Sequence, residues 1–208
     1  MLSPRENIRN IIFDLGGVIV NIDPVVTFRA FSALSHMPVE EIMEIYYNTA
    51  FFRHYESGKI SDHDFRNGIR NVLKINSSDG EIDAAWNALL LEIPVGKMEM
   101  LRLARKKFRT FLLSNTNSIH RVRFEKVFAG FSPGENIHTL FEKVYYSFQM
   151  DMRKPEPGIF LAVLSENDLE PEETLLIDDN KENIESAASL GMKTLLVEMN
   201  QPAIIIPA

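Results

Sequence analysis

The chain has 208 residues, of which 45% are hydrophobic and 25% charged, and a formal net charge of -7. That length suits one large domain or a domain carrying an insertion. The acidic balance argues against a chain built to coat nucleic acid or an anionic membrane, because neither partner is attracted by a negative field. Cysteine is absent, so disulfides, thiolate metal sites and a cysteine nucleophile are excluded. A reducing, cytoplasmic setting fits that absence. Met1 to Arg9 is polar, and the apolar run after it is short and broken by Asp14. It reads as neither a signal peptide nor a membrane span.

Ile11 to Phe13 is a short apolar run that drives into Asp14, followed by Gly16, Gly17 and a second apolar run. The pattern predicts a buried strand with an acid at its carboxyl end and a sharp turn beside it. Asp23 and Pro24 mark a helix start, as N-cap and first-turn residue, for a helix from Val25 to Ser35. A second helix runs from Pro38 to about Tyr47. Ser61 with Asp64 resembles a capping box and opens a helix to about Lys74. Another helix spans roughly Asp79 to Leu91. No convincing strand lies between Asp23 and Glu92. The aromatic group Tyr46, Tyr47, Phe51, Phe52 and Tyr55 is expected to form mainly the core of this helical insertion. His54, Glu56 and Lys59 nearby offer polar groups for a sugar.

From Pro94 the pattern changes. A helix from Val95 to Lys107 ends in basic residues, which suits its dipole. Thr110 to Leu113 is a strand ending at Ser114-Asn115-Thr116-Asn117, and a helix follows. Lys143 to Tyr146 is a weaker strand, and Pro155 to Asn167 a helix after Arg153-Lys154. Thr174 to Ile177 is a strand ending at Asp178-Asp179-Asn180. Asn183 to Leu190 is a helix closed by Gly191, and Thr194 to Val197 the last strand. The tail from Ala203 to Ala208 is apolar and can pack on the surface or on a partner. Strands alternating with helices imply an α/β fold, a parallel sheet covered on both faces. The expected division is a core from residues 1–20 and 94–208, with a helical domain from 21–93.

In a parallel sheet, Asp14, Ser114-Asn115 and Asp178-Asp179 all come to one edge, the edge where α/β proteins place their ligands. Carboxylates around an oxygen-lined pocket suit Mg²⁺, a hard ion that keeps several waters. Lys154 and Ser114 supply a charge and a hydrogen bond to an anion. Such a set suits phosphoryl chemistry, where positioning and charge neutralisation dominate.

Four segments carry a resemblance: Phe13-Asp14-Leu15-Gly16-Gly17-Val18, Leu113-Ser114-Asn115-Thr116-Asn117, Met152-Arg153-Lys154-Pro155-Glu156 and Ile177-Asp178-Asp179-Asn180. In sequence and order they resemble the four motifs of the haloacid dehalogenase-like hydrolases. The helical insertion lies where that family carries its cap on a Rossmann-like core. The whole pattern is most similar to bacterial sugar-phosphate phosphatases of the α-glucose-1-phosphatase type. The resemblance implies a small phosphorylated metabolite as substrate, Mg²⁺ as cofactor and no nucleic-acid or membrane partner. It makes Asp14 the nucleophile that forms an aspartyl-phosphate. Ser114, with the Asn115 backbone, holds the transferring phosphoryl group, and Lys154 steadies nucleophile and phosphate. Asp14, the Gly16 carbonyl and Asp179 hold the metal, with Asp178 and Asn183 beside them. Arg153 stands outside the catalytic set, as a surface or cap-contacting residue.

One position departs from the family pattern. Phosphatases of the family usually carry a second Asp two places after the nucleophile, as general acid and base. Here that place is Gly16. Three explanations follow. A sugar 1-phosphate leaves as a comparatively acidic hemiacetal hydroxyl and needs less help. Alternatively Asp23 or His54 replaces the missing acid. In the third, the chain is a metal-independent 2-haloacid dehalogenase, since those relatives also lack the second Asp. A protein that keeps the fold only to bind a metabolite or partner is a further alternative.

Overall fold

Strands β1 (Asn10–Phe13), β2 (Arg109–Ser114), β3 (Lys143–Tyr146), β4 (Thr174–Asp178) and β5 (Lys193–Leu196) form one sheet in the computed structural model. The structure describes residues 7–206; the remainder of the polar N-terminal segment and the end of the apolar tail, Pro207 and Ala208, lie outside them. All pairings are parallel and the order is β3-β2-β1-β4-β5. The strand made first is therefore the middle one. It is buried on both faces, which is why it reads as a continuous apolar run rather than an alternating one. Successive side chains still go to opposite sides. Ile11, Phe13, Leu112, Leu175 and Ile177 join one core cluster, and Ile12, Phe111, Leu113 and Leu176 the other.

Helices cover both faces. Met98 and Leu101 of α6 (Val95–Lys107) and Phe124 and Phe128 of α7 (Ser118–Ala129) pack on the first. Ile159, Phe160 and Val163 from the later Pro157–Glu166 helix pack on the second. Between β1 and α6 lie α1 (Pro24–Ser35), α2 (Val39–Asn48), α3 (Phe51–Glu56), α4 (Asp62–Leu73) and α5 (Asp79–Asn87). The remaining helices are α8 (Ile137–Leu140), α9 (Ser147–Met150), α10 (Pro157–Glu166) and α11 (Lys181–Ser189). Three short ones, α3, α8 and α9, escape the sequence pattern because one to two turns give no recurring apolar stripe.

The helical segment has a core of its own, with Phe28, Phe31, Phe52, Tyr55, Phe65, Ile82 and Trp86 buried together and Ile119 of α7 joining them. Its starts are set by side chains that satisfy the free N–H groups of a first turn. Asp23 Oδ1 accepts from Val25 N at 2.9 Å, Ser61 Oγ from Asp64 N at 3.1 Å, and Ser78 and Glu81 form a full capping box. Of the aromatic group, Phe52 and Tyr55 are buried, Phe51 and Tyr46 pack against them, and Tyr47 is exposed.

The chain leaves and re-enters the sheet region through two paired linkers. Asn21 N donates to Glu92 O, Leu91 N to Asn21 O and Asp23 N to Leu89 O. This pairing takes up residues 89–92, so α5 stops at Asn87 rather than at Leu91. Lys97, fully buried at the start of α6, donates to Asn21 Oδ1 at 3.0 Å. Asn200, from the segment after β5, brackets Ile22: its Oδ1 accepts from Ile22 N at 2.9 Å and its Nδ2 donates to Ile22 O at 2.8 Å. The described part of the tail packs on the protein itself, with Ile204 buried in the first sheet cluster and Ile206 against it. Among the described residues no helix is long and apolar enough to cross a membrane.

Phe65 is fully buried and stacks on Tyr55 with ring centroids 4.0 Å apart. Phe65→Ala is expected to cost about 3–5 kcal/mol of stability, read by urea unfolding; a loss under about 1 kcal/mol would mean that the helical core does not depend on that stack.

Candidate active site

At the carboxyl edge of the sheet, Asp14 follows β1 directly, and its N–H donates to Ile177 O of β4 at 2.9 Å. That bond continues the ladder and holds Asp14 against the end of the neighbouring strand, Asp178. Lys154 arrives from the loop between α9 and α10. Its Nζ donates to Asp14 Oδ1 at 2.7 Å and to Asp178 Oδ2 at 2.6 Å. Lysine and both acids are buried. Asp178 is fixed from its other oxygen, where Oδ1 accepts from Asn180 N and from Asn183 Nδ2, each at 2.9 Å. The lysine backbone is fixed by Asn115, whose Oδ1 accepts from Lys154 N at 2.9 Å and whose Nδ2 donates to Lys154 O at 2.8 Å.

One carboxylate oxygen from each of Asp14, Asp178 and Asp179 lies within 4.8 Å of the others. Three acids face one ammonium, so two negative charges are left unbalanced. Burial first, then Asp178 and Asp179, push the Asp14 carboxyl up to about 7, with Lys154 pulling the other way. Burial and then Asp178 raise Asp179 as well. Burial alone would lower the lysine, but Asp14 and Asp178 outweigh it and keep Lys154 charged. Hard oxygen donors with a surplus of negative charge are what a divalent cation such as Mg²⁺ requires. The donor set therefore fits the metal.

Beside the acids lies a cavity of about 160 Å³ whose lining includes Gly16, Ser114, Asn115, Thr116, Glu56 and His120. Ser114 closes β2 and is buried, with its residue on the cavity wall. His120 is buried between Trp86, on which it stacks, and Asn87 Oδ1, 3.0 Å from its Nδ1. Burial pushes its imidazole down to about 3, so it is neutral. Glu56 reaches Arg153, with Nη2 to Oε2 at 3.3 Å, and burial raises its carboxyl against the pull of Arg153. Ser147 Oγ, which accepts from Thr116 N at 2.9 Å, lies 2.5 Å from Glu56 O. These contacts join the helical segment to the loop that carries Ser114.

The structure thus brings together Asp14, Gly16, Ser114, Asn115, Lys154, Asp178, Asp179 and Asn183. It does not bring in the two groups offered to replace a missing acid. Asp23 is spent on the N-terminus of α1, and His54 is exposed and lines neither cavity near the acids. His120 and the Asn21–Lys97 linkage went unread in the sequence. Glu56 was among three polar groups offered for a sugar, with nothing in the sequence to fix its direction.

A family model described as haloacid dehalogenase-like hydrolase matches residues 8–191. The chain belongs to that family. Among its relatives is D-ribitol-5-phosphate phosphatase of Bacteroides thetaiotaomicron, 32% identical over 92% of both chains. A haloacid dehalogenase-like enzyme from the same organism, solved in complex with magnesium and inorganic phosphate, superposes with a TM-score of 0.87 at 37% identity. That likeness covers 93% of this chain and 96% of the other. L-2-haloacid dehalogenase of Xanthobacter autotrophicus shares the fold, with a TM-score of 0.63 at 16% identity, over 91% of this chain and 77% of the other.

Gly17 makes the approach of the acids to the turn possible. Its φ is +78°, and a Cβ there would stand 2.3 Å from Asp179 Oδ2. Gly17→Ala is expected to lower stability by at least about 1 kcal/mol and to shrink the rise in Tm that Mg²⁺ produces. An unchanged Mg²⁺-dependent shift in a thermal melt would refute the second part.

Proposed function

We propose that this chain is a Mg²⁺-dependent phosphomonoesterase that hydrolyses a small sugar or polyol phosphate through an aspartyl-phosphate on Asp14. The observation that carries the reading is the buried Lys154 ammonium between Asp14 and Asp178, with Asp179 beside them and Ser114 on the adjoining cavity wall. The family, and relatives named as a sugar-alcohol phosphate phosphatase or solved with magnesium and phosphate, support it. The absence of cysteine supports a cytoplasmic setting.

Asp14, Asp178 and Asp179 would hold the ion, with the Gly16 carbonyl in the same turn. When bound, Mg²⁺ supplies positive charge against the phosphate oxygens. Lys154 holds the Asp14 carboxylate in place and adds a second positive charge at the phosphorus. Ser114 and Asn115 orient the phosphoryl group from the β2 side. An Asp14 oxygen attacks phosphorus, the bond from phosphorus to the ester oxygen breaks, and the sugar leaves with that oxygen, which takes a proton from solvent water. Water then attacks the phosphorus of the aspartyl-phosphate and gives up a proton to solvent, which releases inorganic phosphate and restores the carboxylate. Residues 21–93 form the cap that closes over this site and excludes water, and the described residues of 1–20 and 94–208 form the core. The cap's separate hydrophobic cluster and its two paired linkers support that division.

Phosphate release from sugar phosphates, including glucose 1-phosphate and ribitol 5-phosphate, is expected to need Mg²⁺ and to stop with EDTA. Asp14→Asn should lower kcat at least about a thousandfold while the circular dichroism spectrum stays that of the parent. Phosphate release that persists in Asp14→Asn removes it as nucleophile, and halide release from 2-haloacids without metal would favour the dehalogenase.

Gly16 leaves room for the acid it lacks. A Cβ there would meet only Ile22, at 3.4 and 3.6 Å, and φ is not in the left-handed region. If an acidic leaving group is what makes the missing Asp tolerable, Gly16→Asp should raise turnover of ethyl phosphate by roughly tenfold or more and that of glucose 1-phosphate by less. Equal effects on both esters would show that leaving-group acidity is not the compensation.

A further inference from the structure

Among the described residues, three arginine–carboxylate pairs close as forks, two of them in the helical segment and on α6, while exposed pairs such as Arg9–Glu173 meet through one contact. Arg66 binds Asp83 through Nε and Nη2, both at 2.8 Å, and Arg102 binds Glu135 through Nε at 2.8 Å and Nη2 at 2.6 Å. Such bidentate pairs satisfy both partners. The pair at the catalytic edge is different. Arg153 meets Glu56 through one contact of 3.3 Å, and its Nε is buried without a hydrogen-bond partner among the described residues. A buried unpaired N–H costs free energy, so its retention needs a reason.

The position of the pair supplies one. Glu56 lines the 160 Å³ cavity together with Gly16, Ser114 and Asn115. A second opening of about 250 Å³ is lined by Tyr46, Tyr47, Phe52, Arg53, Glu56, Asn115 and Arg153. Tyr46, Glu56 and Asn115 belong to both, so the two spaces adjoin across them. Arg153 is also the neighbour of Lys154, whose backbone Asn115 clamps from both sides. Glu56 thus stands on the wall of the space that opens beside Ser114, and Arg153 on the space adjoining it.

We propose that Glu56 and Arg153 form the subsite that recognises the neutral, polyhydroxylated part of the substrate. The inference rests on the phosphomonoesterase reading above and adds to it the chemistry of the leaving group. Neighbouring hydroxyls donate to the Glu56 carboxyl, the Arg153 Nε–H donates to a hydroxyl oxygen, and the Tyr46 ring covers the C–H face of the chain. The acid also selects against a second anion. Arg153 and Arg53 alone would attract a carboxylate or a second phosphate, but Glu56, in contact with Arg153 and lining the same opening as Arg53, offsets that charge.

The test compares kcat/KM for ribitol 5-phosphate and glucose 1-phosphate with that for ethyl phosphate, which has no hydroxyl, and for 3-phosphoglycerate, which carries a second anion. Wild type should favour the polyol esters over both. In Glu56→Gln and Arg153→Lys the ratio of polyol ester to ethyl phosphate should fall roughly tenfold to hundredfold, the weight of a charge-assisted hydrogen bond, mainly through KM. Equal losses on all esters would mean that the pair only fastens cap to core, and a preference for 3-phosphoglycerate would mean an anion subsite; either result overturns the proposal. Calorimetry separates this inference from the reading beneath it. In an Asp14→Asn background, ribitol 5-phosphate should bind more tightly than ethyl phosphate, and adding Glu56→Gln should erase the difference. Binding that behaves so in a protein whose wild type hydrolyses no ester would sink the enzyme and keep the subsite. Turnover without any such difference would sink the subsite and keep the enzyme.

Discussion

A single buried ammonium group sets the terms for the catalytic edge. Lys154 sits between Asp14, which follows β1, and the acid that ends β4. Removing one partner from such a pair leaves a charge stranded in a poor solvent, which costs several kcal/mol. The backbone is arranged to prevent that. Asn115 grips the lysine's own peptide groups, and Asn180 and Asn183 satisfy the far oxygen of Asp178. Three loops from three strand ends are thereby tied to one charge. The surplus of acid that remains is the physical basis for a divalent ion there.

The helical segment is coupled to this edge at few points, each with a clear cause. Asn21 and Glu92 run side by side as the two linkers, with Lys97 beneath them. The turn after α3 lies against the core so closely that a Cβ at Gly58 would stand 2.2 Å from Phe148 O. Tyr55 OH bonds Asp62 Oδ1 at 2.8 Å, and Ser118 at the start of α7 bonds the same carboxylate. The catalytic groups thus come from the sheet, while the far wall of the cavity comes from the helices.

Much of this was legible in the residues alone. The five strands and their polar ends are punctuated by acids, Ser114 and glycines, and a parallel sheet turns that punctuation into a shared edge. The long helices were readable from caps such as Asp23 and Ser61. What sequence could not give was anything set by distant pairing. The end of α5 depends on residues 21–23, and the short helices α8 and α9 depend on where β3 must begin. The partnership of Glu56 with Arg153 joins residues 97 positions apart. Arg153 was left outside the catalytic set because a charge before a helix has no direction until the fold supplies one.

The central place of β1 bears on how the polypeptide comes together as it is made. Both of its neighbours lie far downstream, in residues 109–114 and 174–178, so the strand made first has no partner until β2 follows it. Closing such long loops is slow. The helical segment is nearly self-sufficient in its apolar contacts, borrowing Ile119 from outside among the described residues, and it can collapse while the strand waits. Asn200 then fastens Ile22. The nascent chain thus carries an unpaired apolar strand beside a collapsing helical unit until β2 emerges, and a strand paired on one side alone until β4 does.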